Sequence, residues 1–199
     1  MNSFSFRVTL LVGLMAAISL VDFWRNGARA VKYQEYGFVL VTGLIAAAVG
    51  FVNDVITSSI SPSYFIVGKG LDENPGLRLQ AALYGCRAGF AAGVIGGAIC
   101  LYAARRKSAH PQLEVLQLLP MLWMPLTGAA LCGILFRLTL SRFDPAHFGS
   151  QLTGVISPED IVHFRTVWWA HLGLYIGMAV GLTAMILRVL KNRRKCVAS

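Results

Sequence analysis

Six polar side chains interrupt the apolar stretches of this sequence and are the residues best placed to do chemistry. They are Asn53, Asp54, Tyr84, Arg87, Arg137 and His171. An ionisable group inside an apolar helix is costly and usually faces a bundle interior or a cavity, so it indicates a functional site. One hypothesis is a polar pocket in which Asp54 pairs with Arg87 or Arg137. His171 would then act as a proton or ligand group. The other hypothesis is a structural ion pair, with arginines that extend to the interface and a hydrogen-bonded histidine.

Other catalytic or metal-binding patterns have little support. The sequence contains no GxSxG, HExxH or Walker-type loop, and the Gly-Lys-Gly at residues 68–70 lacks the spacing of a phosphate loop. Glu159, Asp160 and His163 have a helical spacing that could hold a metal ion. Only one histidine is present there, however, and the two acids suit the first turn of a helix. We therefore expect no metal and no cofactor. The sequence does not favour an enzyme, because no catalytic nucleophile and base can be paired.

The composition indicates a membrane protein. Hydrophobic residues make up 56% of the 199 residues and charged residues 14%, against about 25% charged in an ordinary soluble domain. Mean hydropathy is +0.62. A helical span takes roughly 20 residues, so about five spans with short loops use up the chain. We predict an all-α integral membrane bundle, a single domain over residues 1–199, with spans at about 8–24, 36–54, 79–104, 115–140 and 166–190.

Small residues in the third and fifth spans predict close helix packing. Glycine recurs every four residues at Gly85, Gly89, Gly93 and Gly97, and again at Gly173, Gly177 and Gly181. At about 3.6 residues per turn each set lies on nearly one stripe, along which a neighbouring helix can approach at backbone distance. The cysteines lack metal-site or CxxC spacing, so we expect them to be unpaired packing residues. They are Cys86, Cys100, Cys132 and Cys196.

Prolines predict where helices bend or begin. Pro120 and Pro125 lie in the fourth span, and each is expected to kink it by removing a helical hydrogen bond. Ser157, followed by Pro158 and two acidic residues, is typical of a helix start, with the serine as N-cap. The fifth helix should therefore begin in the loop, before its apolar run.

The first apolar run, residues 8–24, allows two interpretations. It could belong to a signal peptide cleaved after the Ala-Arg-Ala at residues 28–30. Asp22 and Arg25 lie between the apolar core and that site, whereas a signal peptide normally has its small residues directly after the apolar region. We expect a retained first helix.

The basic residues cluster beside the predicted spans. The net charge is +9, but the basic residues are not gathered with aromatic side chains into a nucleic-acid surface, so no nucleic acid is expected. Residues 25–32, 105–107 and 191–195 together hold ten Lys and Arg, whereas the N-terminal segment and the other two loops hold five. By the positive-inside rule, this asymmetry predicts an N-terminus outside and a C-terminus in the cytoplasm.

The segment at residues 53–71, NDVITSSISPSYFIVGKGL, is the least lipid-like long piece of the chain. Together with residues 36–40 and 169–172, its pattern ND-x-x-T-x-x-ISP-x-YF-x-x-GKGL resembles a family of uncharacterised bacterial multi-pass membrane proteins. The signature includes Ser61, Pro62, Tyr64, Phe65, Gly68, Lys69 and Gly70. The family has no established activity. The resemblance therefore implies a bacterial cytoplasmic membrane, the plasma membrane of the cell, and no mechanism.

Two functions fit these observations. The first is a non-enzymatic interaction or assembly protein that lies in the lipid bilayer. Its outer loops would dock a protein partner or a second copy of the chain, with residues 53–71 as the docking surface. The second is a small-solute or ion transporter that uses the polar pocket near the outer face. A transporter should contain a path that reaches the middle of the membrane, whereas a docking protein should present the segment to its surroundings.

Overall fold

Helices account for most of the chain in the computed structural model, which describes residues 3–106, 113–144 and 147–195. No β-strand occurs in these ranges. The helices are α1 (Ser3–Asn26), α2 (Lys32–Ile60), α3 (Pro62–Lys69), α4 (Leu77–Arg105), α5 (Trp123–Leu140), α6 (Phe148–Gln151) and α7 (Pro158–Lys195). Short 3₁₀ turns lie at Gly27–Arg29, Val115–Gln117 and Leu119–Leu122. The loop around His110 and Pro111 lies outside the described residues.

Five helical stretches in the described ranges are long and apolar enough to cross a membrane, which confirms the predicted all-α membrane bundle. They contain α1, α2, α4, α5 and α7. The helices run beyond the apolar cores that the sequence marks. At 1.5 Å per residue, the 29 residues of α2 extend about 43 Å, longer than a hydrocarbon core of roughly 30 Å. Helix α2 is therefore longer than the apolar layer is thick.

The fourth span differs from its prediction. It starts as 3₁₀ turns, and regular α-helix begins only at Trp123. Pro120 lies within the second 3₁₀ turn and Pro125 within the first turn of α5. A proline in a first helical turn removes no helical hydrogen bond, because the N–H groups there have no partner within the helix. The two prolines therefore set the start of α5 instead of kinking a longer helix.

The bundle is built from two helix hairpins, α2 with α4 and α5 with α7. The glycine stripes lie on their contact faces. A Cβ atom at Gly89 would collide with the carbonyl oxygen of Ala46, and one at Gly177 would collide with the carbonyl oxygen of Gly128. The helix backbones of each pair therefore touch directly, which only glycine allows. Contacts between the hairpins are far sparser and come mainly from α4 against α7.

Each end of the bundle is named after a residue that lies there. The Asp54 end is where α2 finishes and α4 and α7 begin. The Arg193 end is where α2 begins and α4 and α7 finish. Helix α1 packs on α2 and is joined to it at the Arg193 end by Asp22. The Asp22 carboxylate accepts hydrogen bonds from the backbone N–H groups of Val31 and Lys32, both 2.9 Å long. It thereby caps the first turn of α2.

Serine–proline pairs begin two further helices. The Oγ of Ser61 accepts a hydrogen bond from the Tyr64 N–H at 3.2 Å, with Pro62 as the first residue of α3. The Oγ of Ser157 accepts one from the Asp160 N–H at 3.1 Å, and α7 begins at Pro158. The second pair confirms the helix start predicted in the loop.

Candidate ligand-binding site

A buried acid and a buried histidine meet between the two hairpins. Helix α2 places Asp54 and helix α7 places His171, and the Asp54 Oδ1 lies 2.9 Å from the His171 Nε2. Their residues are only 5% and 4% exposed. The side-chain amide of Asn53 donates to the same carboxylate oxygen at 2.9 Å. A charge buried to this degree is stable only when it is paired and hydrogen-bonded, and both conditions are met here.

The hydrogen bonds of His171 indicate how many protons the pair holds. Its Nδ1 lies 2.9 Å from the carbonyl oxygen of Val167. A carbonyl can only accept, so Nδ1 carries a hydrogen and donates it. The Nε2 faces a carboxylate oxygen at 2.9 Å, and two bare lone pairs would repel at that distance. The Nδ2 of Asn53 also lies 3.2 Å from Nε2, but the shorter carboxylate contact favours one proton between Nε2 and Oδ1, which makes the Asp54–His171 pair neutral overall.

Aromatic rings from α3 cover the pair. The Tyr64 ring stacks on the His171 imidazole with centroids 5.0 Å apart and planes at 27°. Phe65 meets the same imidazole edge-on at 6.0 Å. Burial raises the pKa of Tyr64 well above its ordinary value, so its phenol stays neutral. This cover excludes water from one side of the Asp54–His171 pair.

Gly85 makes room for the pair on α4. A Cβ atom at this position would come within 2.5 Å of the Asp54 Oδ2 and would also collide with the backbone of Gly50. The first glycine of the α4 stripe therefore has two effects. It lets the helices touch, and it lets the second carboxylate oxygen lie against a bare backbone.

A cavity of about 400 Å³ extends from this pair along the interior between the hairpins. Helices α2, α4, α5 and α7 contribute its walls, which are largely apolar and include Ala46, Ala92, Leu126 and Met178. Its polar side chains include Thr42 and, at the Asp54 end, Asn53, Asp54, Lys69, Tyr84, His171 and Tyr175. Small-molecule sites are usually concave, mostly apolar and supplied with a few placed polar groups, as this cavity is. Comparison of the chain with protein-family models, curated proteins and solved structures finds no match.

The structure brings together four of the six polar residues singled out from the sequence. Asn53, Asp54, Tyr84 and His171 line the cavity, whereas the two arginines do not. The Arg87 guanidinium lies 5.8 Å from the Phe4 ring centroid in a cation–π contact, and Arg137 is exposed. The expected pairing of Asp54 with Arg87 or Arg137 is therefore corrected: the partner is His171. The arginines reach outward because extended guanidinium groups are least costly near an interface.

The signature segment divides between interior and surface. Ser61, Tyr64 and Phe65 are buried, and Lys69 lines the cavity mouth. The exposed members are Pro62, Gly68 and Gly70. Gly70 ends α3 in the left-handed region, at φ 66°, which a glycine adopts without strain. The segment thus folds over the site with its aromatic side chains pointing inward.

Buried charges at the opposite end were missed by the sequence analysis. Arg193 is 1% exposed. Its guanidinium caps the end of α4 by donating to the carbonyl oxygens of Ala103 at 2.7 Å and Arg106 at 2.8 Å. Glu35 binds Arg105 at 2.9 Å and Lys32 at 2.7 Å. The sequence analysis counted Lys32, Arg105 and Arg193 only as charges beside the predicted spans. The sequence did contain one signal for the Arg193 contact, since basic side chains stabilise the C-terminus of a nearby helix.

Among the described residues, no three histidine, cysteine or acidic side chains lie close enough together to bind a metal ion. Asp160 is engaged by the Ser157 hydroxyl at 2.8 Å. Cys86, Cys100 and Cys132 are free thiols. Cys196 lies outside the described residues.

Proposed function

We propose that this chain is a membrane carrier for a small organic solute, which binds in the cavity between the two hairpins. The proposal is carried by one observation: the buried Asp54–His171 pair stands at the polar end of an apolar cavity of about 400 Å³. Buried ionisable groups in spanning helices are costly and commonly mark solute paths. A cavity of this volume is large enough for a small organic molecule.

The lining favours an organic solute over an inorganic ion. A bare ion needs a shell of oxygen or nitrogen ligands to replace its water. The middle of the cavity offers side chains such as Ala92, Leu174 and Met178 instead. These groups suit a hydrocarbon body, while Asp54 and His171 suit one polar group at its end.

The division into hairpins supports movement of a solute. Each hairpin is held together by glycine contacts that run along its helices. The hairpins are linked to each other by polar contacts near the two ends of the cavity, Asp54 with His171 and Arg193 with the α4 carbonyls. Two rigid halves around a central site can rock so that the site opens to either side, as in many secondary transporters.

The alternative, an assembly component that docks a partner through residues 53–71, has less support. Tyr64 and Phe65 are the large side chains of α3 best suited to anchor a partner, and both are turned into the bundle. They are 4% and 0% exposed.

In this proposal the protein lies in a bacterial cytoplasmic membrane, with the Arg193 end in the cytoplasm. Lys32, Arg105, Arg106 and Arg193 lie at that end, as the positive-inside rule requires. Labelling with a membrane-impermeant maleimide tests the orientation. Ser150→Cys should react in intact cells and Asn26→Cys only after lysis, and the reverse order would overturn it.

The carrier proposal can be tested with a labelled octyl sulfobetaine. This zwitterion joins an apolar chain to a head group that has no net charge. The purified full chain should bind it saturably, and reconstituted vesicles preloaded with the unlabelled compound should show counterflow. Ala92→Phe fills the cavity and should abolish both, whereas Ala98→Phe, on an exposed face of the same helix, should retain them. Binding without counterflow would refute a carrier, and equal loss in both variants would refute the site.

A further inference from the structure

Among the described residues that line the cavity, the one formal charge left uncompensated is positive. We infer that the cavity takes an amphipathic anion, a molecule with an apolar body and a single negatively charged head group, and that Lys69 binds this head group. The inference rests on the proposed function of the cavity and names the class of its solute.

Lys69 is held at the mouth of the cavity by aromatic rings. Its Nζ lies 5.3 Å from the centroid of the Tyr64 ring and 5.6 Å from that of Tyr84. Cation–π contacts of this length orient an ammonium group without neutralising it. Tyr64 also stacks on His171, so the ammonium stands beside the polar end of the cavity.

In the part of the chain that the structure describes, no acid neutralises this ammonium group. Within the described part of the chain, no carboxylate lies within ion-pair distance of the Lys69 Nζ. Asp72 and Glu73 follow in the next loop, are exposed, and form no ion pair with it. Three N–H donors on the ammonium are therefore available to an incoming anion.

The acid of the cavity is already occupied. Asp54 shares a proton with His171 and accepts from Asn53, so the pair contributes no net charge. Its second oxygen lies against the backbone of Gly85. An amphipathic cation would meet Lys69 with no free carboxylate to hold it, whereas an anion would meet the ammonium directly.

The remaining groups complete a site for such a molecule. Tyr84 and Tyr175 line the same end and supply phenolic O–H donors, which stabilise an anionic head. Below them, Ala46, Leu126 and Met178 offer apolar walls for the body. The polar head and the apolar body are thus served by separate parts of one cavity.

Binding of three octyl compounds to the purified full chain tests the inference: octanesulfonate, the sulfobetaine and octyltrimethylammonium. The native protein should bind octanesulfonate at least about tenfold more tightly than the cation. Lys69→Met should weaken sulfonate binding by about 10- to 100-fold. It should weaken sulfobetaine binding much less, because the quaternary ammonium of that compound balances its sulfonate, and the binding that remains shows that the variant is folded. Lys69→Arg should retain the preference. Arg78→Met removes an exposed positive charge at the same end, outside the cavity, and should change nothing.

The outcomes separate this inference from the proposed function. Sulfobetaine binding without a preference for the sulfonate, or a preference that survives Lys69→Met, overturns the anion site and leaves the carrier standing. Failure to bind any of the three compounds overturns the carrier itself. Reconstitution in phosphatidylcholine with and without phosphatidylglycerol identifies the source of the anion. If phosphatidylglycerol competes with the sulfonate, the site is assigned to a lipid head group. If it does not compete, the site is assigned to a free amphipathic acid.

Discussion

The Asp54 carboxylate and the His171 imidazole, 2.9 Å apart, join the end of α2 to the first half of α7. The two residues are 117 positions apart in the chain and belong to different hairpins. Their contact is therefore both the polar centre of the cavity and a link between the two halves of the bundle.

Breaking this pair should destabilise the protein in a coupled way. Removing one partner of a buried pair leaves the other unsatisfied, which costs about 3–5 kcal/mol. We expect Asp54→Asn and His171→Gln each to lower the thermal midpoint in detergent, and the double variant to cost less than the two together. His163→Gln, exposed on the same helix, should have little effect. Additive losses would show that the two side chains do not interact.

The proton between Asp54 and His171 should be directly observable. Two signatures are possible at neutral pH. Either ¹⁵N-labelled histidine shows hydrogen on both ring nitrogens of His171, or infrared difference spectra against Asp54→Asn show a protonated carboxylic acid. One of the two signatures must be present, because the Val167 carbonyl fixes the hydrogen on Nδ1. An imidazole that is bare at Nε2, beside an ionised carboxylate, would contradict the hydrogen-bond geometry.

Glycines on and off the α4 stripe should tolerate alanine very differently. A Cβ at Gly89 would collide with the carbonyl of Ala46, whereas one at Gly96 would meet only the side chain of Leu182, at an ordinary 3.5 Å. Over-packing of this kind costs about 1–3 kcal/mol. Gly89→Ala should lower the thermal midpoint, and Gly96→Ala should leave it nearly unchanged. Equal midpoints for the two variants would mean that α2 and α4 do not touch at backbone distance.

Arg193 should stabilise the opposite end of the bundle. Its guanidinium donates to two carbonyl oxygens at the end of α4, and hydrogen bonds from a charged group contribute about 1.5–3 kcal/mol each. Arg193→Met should therefore lower stability and speed amide exchange in the last turn of α4. Arg194→Met removes the same charge from an exposed position and serves as the control. A similar effect of both changes would assign the loss to net charge.

Acid should loosen the α6 turn through Asp144. Desolvation opposes ionisation there, but hydrogen bonds from the N–H groups of Gly149 and Phe148 lower the pKa of Asp144 below its ordinary value of 3.8. The charged form is thus favoured by folding. Its small contribution is complete above pH 3.8 and is lost as pH falls through the lower folded value. Amide exchange at Gly149 should be faster in Asp144→Asn than in the native protein at neutral pH, and the difference should vanish in strong acid. A constant difference at all pH values would contradict this.

Much of the fold could be predicted because it depends on local pattern. Long apolar runs specify spanning helices, since a backbone in lipid must satisfy its own hydrogen bonds. The Ser157-Pro158 start of α7 follows from the capping chemistry of its own residues. The start of α5 could not be placed in this way. Whether Pro120 and Pro125 bend a helix or begin one depends on where the preceding turns pack.

The sequence alone determined that Asp54 and His171 lie within apolar helices, and that glycine stripes offer faces for close contact. Only the tertiary structure decided which helix each stripe meets, and that Asp54 pairs with His171 and not with an arginine. Helical periodicity fixes which face a residue occupies but not which helix lies opposite. An arginine near an interface can also reach water more cheaply than a buried carboxylate. The position of Lys69 at the cavity also depends on tertiary structure, because burial of Tyr64 and Phe65 folds α3 back over the bundle.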